Sequence, residues 1–260
     1  MTELLVPAWD TAADKLDRYP FARERVRYAV GIKPVLSLAH SARILEAGCG
    51  SGRLLRVLDA LGYHDLVGLE ISPQRLECIR RRGPGCARLV ADEGVPFEPQ
   101  SFDAVISTGV IEHVAAPEAW LGKLAASLRS GGVLSITSDT YIWRWLQRLG
   151  LYHTVQPIDR AIWPPTIIRW GRQAGLGLEA FGGFYNSPDQ RYYFVRQLAR
   201  LGRGWRRLRW YINRGGEIPE VPADEVEAIL AAIDLLPRQL RTGLWNCVWS
   251  YESFFWFRKR

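Results

Sequence analysis

At 260 residues and 29.5 kDa, the chain is long enough for one sizeable α/β domain or two small ones. A hydrophobic content of 48% with 12% aromatics excludes a disordered chain, and a net charge of +7 is too moderate to define a partner by itself. The four cysteines (Cys49, Cys78, Cys86 and Cys247) include no C-x-x-C pair, which argues against a zinc site or a disulfide framework and fits a reducing cytoplasm.

No basic stretch followed by an apolar one is read over residues 1–14, so no signal peptide is expected. No uncharged apolar run approaches the roughly 18 residues that a membrane-spanning helix needs.

In chain order, residues 43–137 read as repeated strand–helix units. Arg43 to Ala47 is a short strand ending in the turn Glu46-Ala47-Gly48-Cys49-Gly50-Ser51-Gly52. Leu54, Leu55, Leu58 and Leu61 then follow helical spacing. Asp65 to Glu70 is a second strand; Ser72 caps the next helix and Pro73 occupies its first turn. Ala87 to Ala91 is a third strand and Phe102 to Ser107 a fourth. Pro117 opens a helix that Gly131-Gly132 is expected to end, and Val133 to Thr137 is a fifth strand.

Beyond Thr137 the pattern loosens. A helix is expected over Thr166 to Ala174, then a strand to Gly183, and a last strand over Tyr251 to Phe257. Strands alternating with helices imply a parallel sheet covered on both faces, with ligands beyond the carboxyl ends of the strands. The glycine turn, Glu70, Asp92 and Thr108 all fall at those ends.

The glycine spacing narrows the ligand. The dinucleotide fingerprint is G-x-G-x-x-G, whose third glycine packs helix on strand. Here Arg53 occupies that place and the third glycine comes one residue early, at Gly52; no lysine follows as in a phosphate-binding loop. The turn resembles motif I of class I S-adenosylmethionine-dependent methyltransferases, commonly E/D-x-G-x-G-x-G, and matches its fixed positions at Glu46, Gly48, Gly50 and Gly52. G-L-E-I-S places Glu70 where an acid binds ribose hydroxyls. V-A-D-E-G-V-P-F resembles the segment after the third strand, and S-F-D-A-V-I-S-T-G-V-I-E-H-V the fourth-strand motif of ubiquinone-type and related small-molecule methyltransferases.

The resemblance implies a Rossmann-like, seven-stranded, mostly parallel sheet with helices on both faces and an antiparallel last strand, plus a helical insertion. It implies S-adenosyl-L-methionine as cofactor, with S-adenosyl-L-homocysteine as product. Glu46 would receive the methionine ammonium, Asp92 the adenine amine, and Thr108 and Val110 would face the methionine part or the adenine. Cys49, Ile71 and Glu93 would border the cofactor, and Tyr19 would close over it from the N-terminal segment. Asp103, at a strand start, reads as structural.

A single domain over residues 1–260 is expected. Its core would be 30–185 and 248–260, with 1–29 as a cover for cofactor or substrate and 186–247 as a helical insertion capping the substrate.

A hydroxyl acceptor needs a base, and histidine is the natural candidate near neutral pH. His40 and His64 precede strands at the wrong end of the sheet. His113 lies in the E-H-V segment and His153 in the stretch after the fifth strand, where similar enzymes carry a substrate-facing histidine; these two are the catalytic candidates. Some ubiquinone O-methyltransferases hold a metal through E-x-x-E-H, but Gly109 replaces the first glutamate here, and no metal site is read.

From Arg191 to Arg214 there are eight arginines and no acid, opposite a stripe of Phe194, Leu198, Leu201, Trp205, Leu208 and Ile212. This is either a helix with a solvated basic face or a cover meeting an anionic acceptor or a membrane surface. The expected partner is a small-molecule, glycan or lipid acceptor. Nucleic acid is disfavoured, because T-G-V-I stands where amino-methylating DNA enzymes carry N/D-P-P-Y. The expected location is cytoplasmic, with peripheral membrane contact through 191–214 as an alternative. The sequence is silent on oligomeric state.

Overall fold

The computed structural model of the chain describes residues 24–82, 88–90, 95–141, 145, 148, 158–184 and 224–260. The expectations placed on Tyr19, Asp92, Glu93, His153 and the basic stripe 191–214 lie outside the described residues.

Eight strands form one sheet in the order β3-β2-β1-β4-β5-β8-β6-β7. They are β1 (Arg43–Ala47), β2 (Asp65–Leu69), β3 (Arg88–Val90), β4 (Phe102–Thr108), β5 (Leu128–Asp139), β6 (Leu176–Phe184), β7 (Arg241–Thr242) and β8 (Glu252–Lys259). β1 to β5 pair in parallel, and β8 inserts antiparallel between β5 and β6. This is the expected Rossmann-like sheet of seven strands, with the two-residue β7 added on the edge of β6.

Helices α1 (Arg25–Ile32), α2 (Arg53–Ala60), α3 (Pro73–Arg82) and α6 (Glu225–Gln239) contribute to one apolar cluster; α4 (Pro117–Ser127), α5 (Pro164–Gln173) and α7 (Leu244–Trp249) contribute to another. The two clusters take alternate residues of the central strands: Ile44 with Ala104 and Ile106 on one side, Leu45 with Val105 on the other. A strand covered on both faces is apolar at most positions, which accounts for the runs Ile44-Leu45, Leu66 to Leu69 and Ala104 to Ile106 in β1, β2 and β4.

Three local expectations shift. The glycine pair Gly131-Gly132 does not end α4. That helix stops at Ser127, and β5 starts at once at Leu128, with the glycines inside it at a register irregularity against β4. Helix α5 begins at Pro164 rather than Thr166, because a proline in the first turn sacrifices no helical hydrogen bond.

Two segments outside the sheet pack against it. Val26, Ala29, Val30 and Ile32 of α1 are fully buried, as are Ala228, Ile229 and Ala232 of α6. Helix α6 lies against α1 and α2, and α7 against β6, so the described end of the 186–247 segment is packed on the fold. Charge pairs reinforce that packing. Arg53, the residue that breaks the dinucleotide pattern, bonds Glu24 at 3.0 Å and Glu225 at 3.2 Å, tying α2 to both neighbours.

Candidate active site

At the carboxyl ends of β1, β2 and β4 lies a cavity of about 330 Å³. Its floor is the turn after β1. Gly48, Gly50 and Gly52 all have positive φ (83°, 53° and 75°), a conformation costly for residues with a Cβ. At Gly48 an added Cβ would come within 2.4 Å of Val110 Cγ2. The turn is pinned to β2, with Gly48 and Cys49 both donating to the Leu69 carbonyl. Gly52 has a different task from the other two: it starts α2 and packs on Ile79 of α3, outside the cavity lining.

Glu70, at the end of β2, holds this loop closed. One oxygen accepts from Gly50 N at 2.9 Å, the other from Ile71 N and Ser72 N at 2.9 and 3.0 Å. Ser72 in turn caps α3 through its hydroxyl and Arg75 N, as the Ser-Pro signal implied.

Glu46 is 2% exposed, and its Oε2 has no hydrogen-bond partner. Burial, followed by the nearby charge of Glu70, pushes its carboxyl well above the usual range, although the Leu55 amide bonds it. Cys49 lines the same wall. Burial, then Glu46 and Glu70, push its thiol up, so it is no thiolate nucleophile.

Of the residues expected at the site, Glu46, Gly48, Cys49, Gly50, Glu70, Ile71, Thr108, Val110 and His113 line the one cavity. His113 sits in a short 3₁₀ turn, Ile111–His113, after β4. Its Nδ1 is 2.8 Å from the Ile158 carbonyl, and burial pushes its pKa down. The loop carrying Ile158 is stitched to the same turn, with Arg160 N donating to Glu112 O and the Arg160 guanidinium to Ala115 O. His40 and His64 are exposed, away from the cavity, as expected. Asp103 is structural: it accepts from Arg43 N and pairs with Arg129.

Sequence reasoning missed part of the lining. Glu24, Arg27 and Tyr28 reach it from α1, and Trp120 and Lys123 from α4. Trp120 is 7% exposed, and its indole N–H has no partner. No motif marks these residues, since they arrive by helix packing; Trp120 looks in sequence like any core aromatic on an amphipathic helix.

A nucleotide-type cradle at the switch point of a doubly wound sheet defines the class. Residues 45–136 match the family described as "Methyltransferase domain". Over that stretch, and in its fold, the chain is similar to the class I S-adenosylmethionine-dependent methyltransferases.

It is similar to the ubiquinone biosynthesis O-methyltransferase of Xylella fastidiosa strain 9a5c, 29% identical over 162 residues that cover 56% of this chain and 65% of that protein. It is also similar to the trans-aconitate 2-methyltransferase of Methylobacterium nodulans, 33% identical over 130 residues covering 49% of this chain and 48% of that protein. The chain thus spans 65% of the length of the Xylella relatives it matches.

Among solved structures, a SAM-dependent methyltransferase from Thermotoga maritima superposes over 98% of this chain and 100% of that one, with TM-score 0.60 and 17% identity. A [4+2]-cyclase covers 88% of this chain and 79% of its own, at TM-score 0.52 and 17% identity. These likenesses concern the fold; the reaction has to be argued from the site.

Proposed function

We propose that the chain transfers the methyl group of S-adenosylmethionine to an oxygen of a small or medium-sized acceptor. The observation that carries this reading is a pair of unsatisfied buried groups in one glycine-floored cavity. Glu46 Oε2 lacks a donor and the Trp120 indole lacks an acceptor. A buried polar group without a partner costs about 1–3 kcal/mol, so both favour a ligand that brings an ammonium and a ring acceptor. S-adenosylmethionine brings both.

On this reading Glu46 meets the ammonium, while the backbone at Gly48, Cys49 and Gly50 lies against the ligand. Glu70 already accepts three backbone N–H groups. A carboxylate has about four lone-pair sites, which leaves one for a ribose hydroxyl. Ile71, Thr108 and Val110 enclose the adenine and methionine parts, Asp92 and Glu93 serve the adenine edge, and Tyr19 closes over the top. When bound, the cofactor supplies a methyl group already activated by its sulfonium. The protein's work is to align the acceptor, exclude water and place the acceptor's proton. His113, on the cavity wall and kept neutral by burial, is suited to take that proton, with His153 as a second base.

The acceptor class proposed is a metabolite of a bacterial glycan, lipid or secondary-metabolite pathway. A screen of acceptors with a labelled methyl donor tests it. Label should appear on an oxygen of one compound class, and His113→Ala should lower turnover by roughly 10²-fold or more while leaving cofactor affinity within a few-fold. Label on none of the hydroxyl compounds, with the donor bound, would end the O-methyl reading.

One observation favours a lipid or quinone acceptor met at a membrane surface. Trp163, Trp245, Trp249 and Leu244 are 38–71% exposed, and α7 and the start of α5 lie at the same sheet edge as the cavity. Aromatic side chains favour the membrane interface. No helix among the described residues is long and apolar enough to cross a membrane, so such contact would be peripheral. Sedimentation with anionic liposomes should then carry the protein down, and Trp245→Ser/Trp249→Ser should release it.

A further inference from the structure

Behind His113 lies a group of carboxyls gathered from separate elements. Glu112 shares the 3₁₀ turn with His113. Asp139 ends β5 and Glu252 begins β8, register partners in the sheet. Arg27 reaches over from α1 and holds both oxygens of Glu252 at 2.7 Å. That bidentate pair settles Glu252.

Glu112 is left less well provided. Glu112 is 1% exposed; its Oε1 accepts from Asp139 N at 3.0 Å, and its Oε2 has no partner. A buried carboxylate so placed is better off holding a proton. Burial pushes Glu112 up to about 7, and burial, then Glu112 and Glu252, push Asp139 up to about 8, with Arg27 opposing at both. Two neighbouring carboxyls that resist double ionisation titrate one after the other, so that between about 7 and 8 they hold one proton between them.

The imidazole completes the set. A carbonyl only accepts, so the bond to Ile158 O fixes the proton on Nδ1 and leaves Nε2 as the basic nitrogen. Nε2 is 3.8 Å from Glu112 Oε1. Burial lowers the basicity of His113 and Arg27 adds to the lowering, while Asp139 and Asp159 oppose it.

We propose that Glu112 and Asp139 are positioning residues for His113: a carboxyl pair sharing one proton, whose single negative charge balances the imidazolium formed when His113 takes the acceptor's proton. The source of that proton rests on the methyl-transfer reading; the coupling among the three side chains does not. In that reaction an O–C bond forms and the C–S bond breaks with its electron pair left on sulfur. The hydroxyl proton passes to Nε2 while Nδ1–H stays on Ile158. The set then holds one positive and one negative charge at close range, so proton uptake leaves no uncompensated charge in the wall.

The test is a nuclear magnetic resonance titration of the histidine Cε1–H signals in the full chain, with His113 assigned by its loss in His113→Gln. In the unaltered protein the His113 signal should show, besides its own step, a second inflection around pH 7 to 8 as the carboxyl pair titrates. Asp139→Asn should remove that inflection and lower the His113 midpoint by about half a pH unit or more, and Asp139→Glu should restore both.

With an acceptor in hand, the pH profile of kcat/KM should move with that midpoint. A single-step curve in the unaltered protein, or a midpoint that Asp139→Asn and Glu112→Gln leave in place, overturns the proposal. Calorimetry with S-adenosylmethionine on the same samples separates the two readings: absence of binding would sink methyl transfer and leave the coupling result standing.

Discussion

Glu46 and Trp120 do opposite things in one cavity, and the difference explains which residues a sequence can reveal. Glu46 is fixed by its place two residues before Gly48, so its position in the chain announces it. Trp120 reaches the cavity because α4 packs against β5 and the 3₁₀ turn after β4. Both have an unsatisfied buried atom, and both should be felt in ligand binding. Trp120→Phe keeps the packing volume and removes the N–H. If the indole bonds the cofactor, affinity for S-adenosylhomocysteine falls about 3- to 10-fold, the worth of one neutral hydrogen bond, with little change in thermal stability. Unchanged affinity by calorimetry would assign Trp120 to packing alone. Asp103 was legible too: an acid at a strand start bonds the neighbouring strand's first amide, at Arg43.

Element by element, the strands were easier to read than the segments around them. β1, β2 and β4 each centre on an apolar run because both faces are covered, and their ends are punctuated by glycine, Glu70 and Gly109. Helix α6 falls in the stretch expected to be helical, and Asp224 caps it through Glu227 N, but its destination was not legible. An apolar stripe says that a helix packs and leaves open against what. Here the answer lies partly in Arg53 and Arg56, both paired with Glu225. If α6 is a core helix, Ile229→Ala should cost about 2–5 kcal/mol in urea unfolding, the usual loss for a fully buried isoleucine. A detachable cap would leave global unfolding within about 0.5 kcal/mol of the parent. The redrawn start of β5 has a similar origin: Gly131-Gly132 is a glycine pair that a sequence reads as a helix stop, whereas the sheet uses it as an irregularity.

For the whole molecule, the buried carboxyl pair makes a statement about pH. Exposed carboxyls titrate near about 4. In the folded chain Glu112 and Asp139 hold protons up to about 7 and 8. The folded state therefore binds more protons across that interval, and the pair's stabilising contribution, complete below about pH 4, is lost as pH rises through 7 and 8. His113, lowered by burial, acts the other way below its ordinary range near about 6.5. Melting temperature followed from pH 5 to 9 should decline more in the parent than in Asp139→Asn, and equal slopes would remove the pair from the balance. What the sequence made legible at this scale is the donor half of the chemistry, because the glycine turn, Glu70 and the segment after β4 are local patterns. The acceptor half depends on which side chains meet over the sheet edge, and no local pattern carries it. The most direct measurement of the central claim is isothermal calorimetry of the purified chain against S-adenosylmethionine and NAD. The account predicts saturable binding of S-adenosylmethionine, lost in Gly50→Arg, and none of NAD; preference for NAD, or no effect of Gly50→Arg, would contradict it.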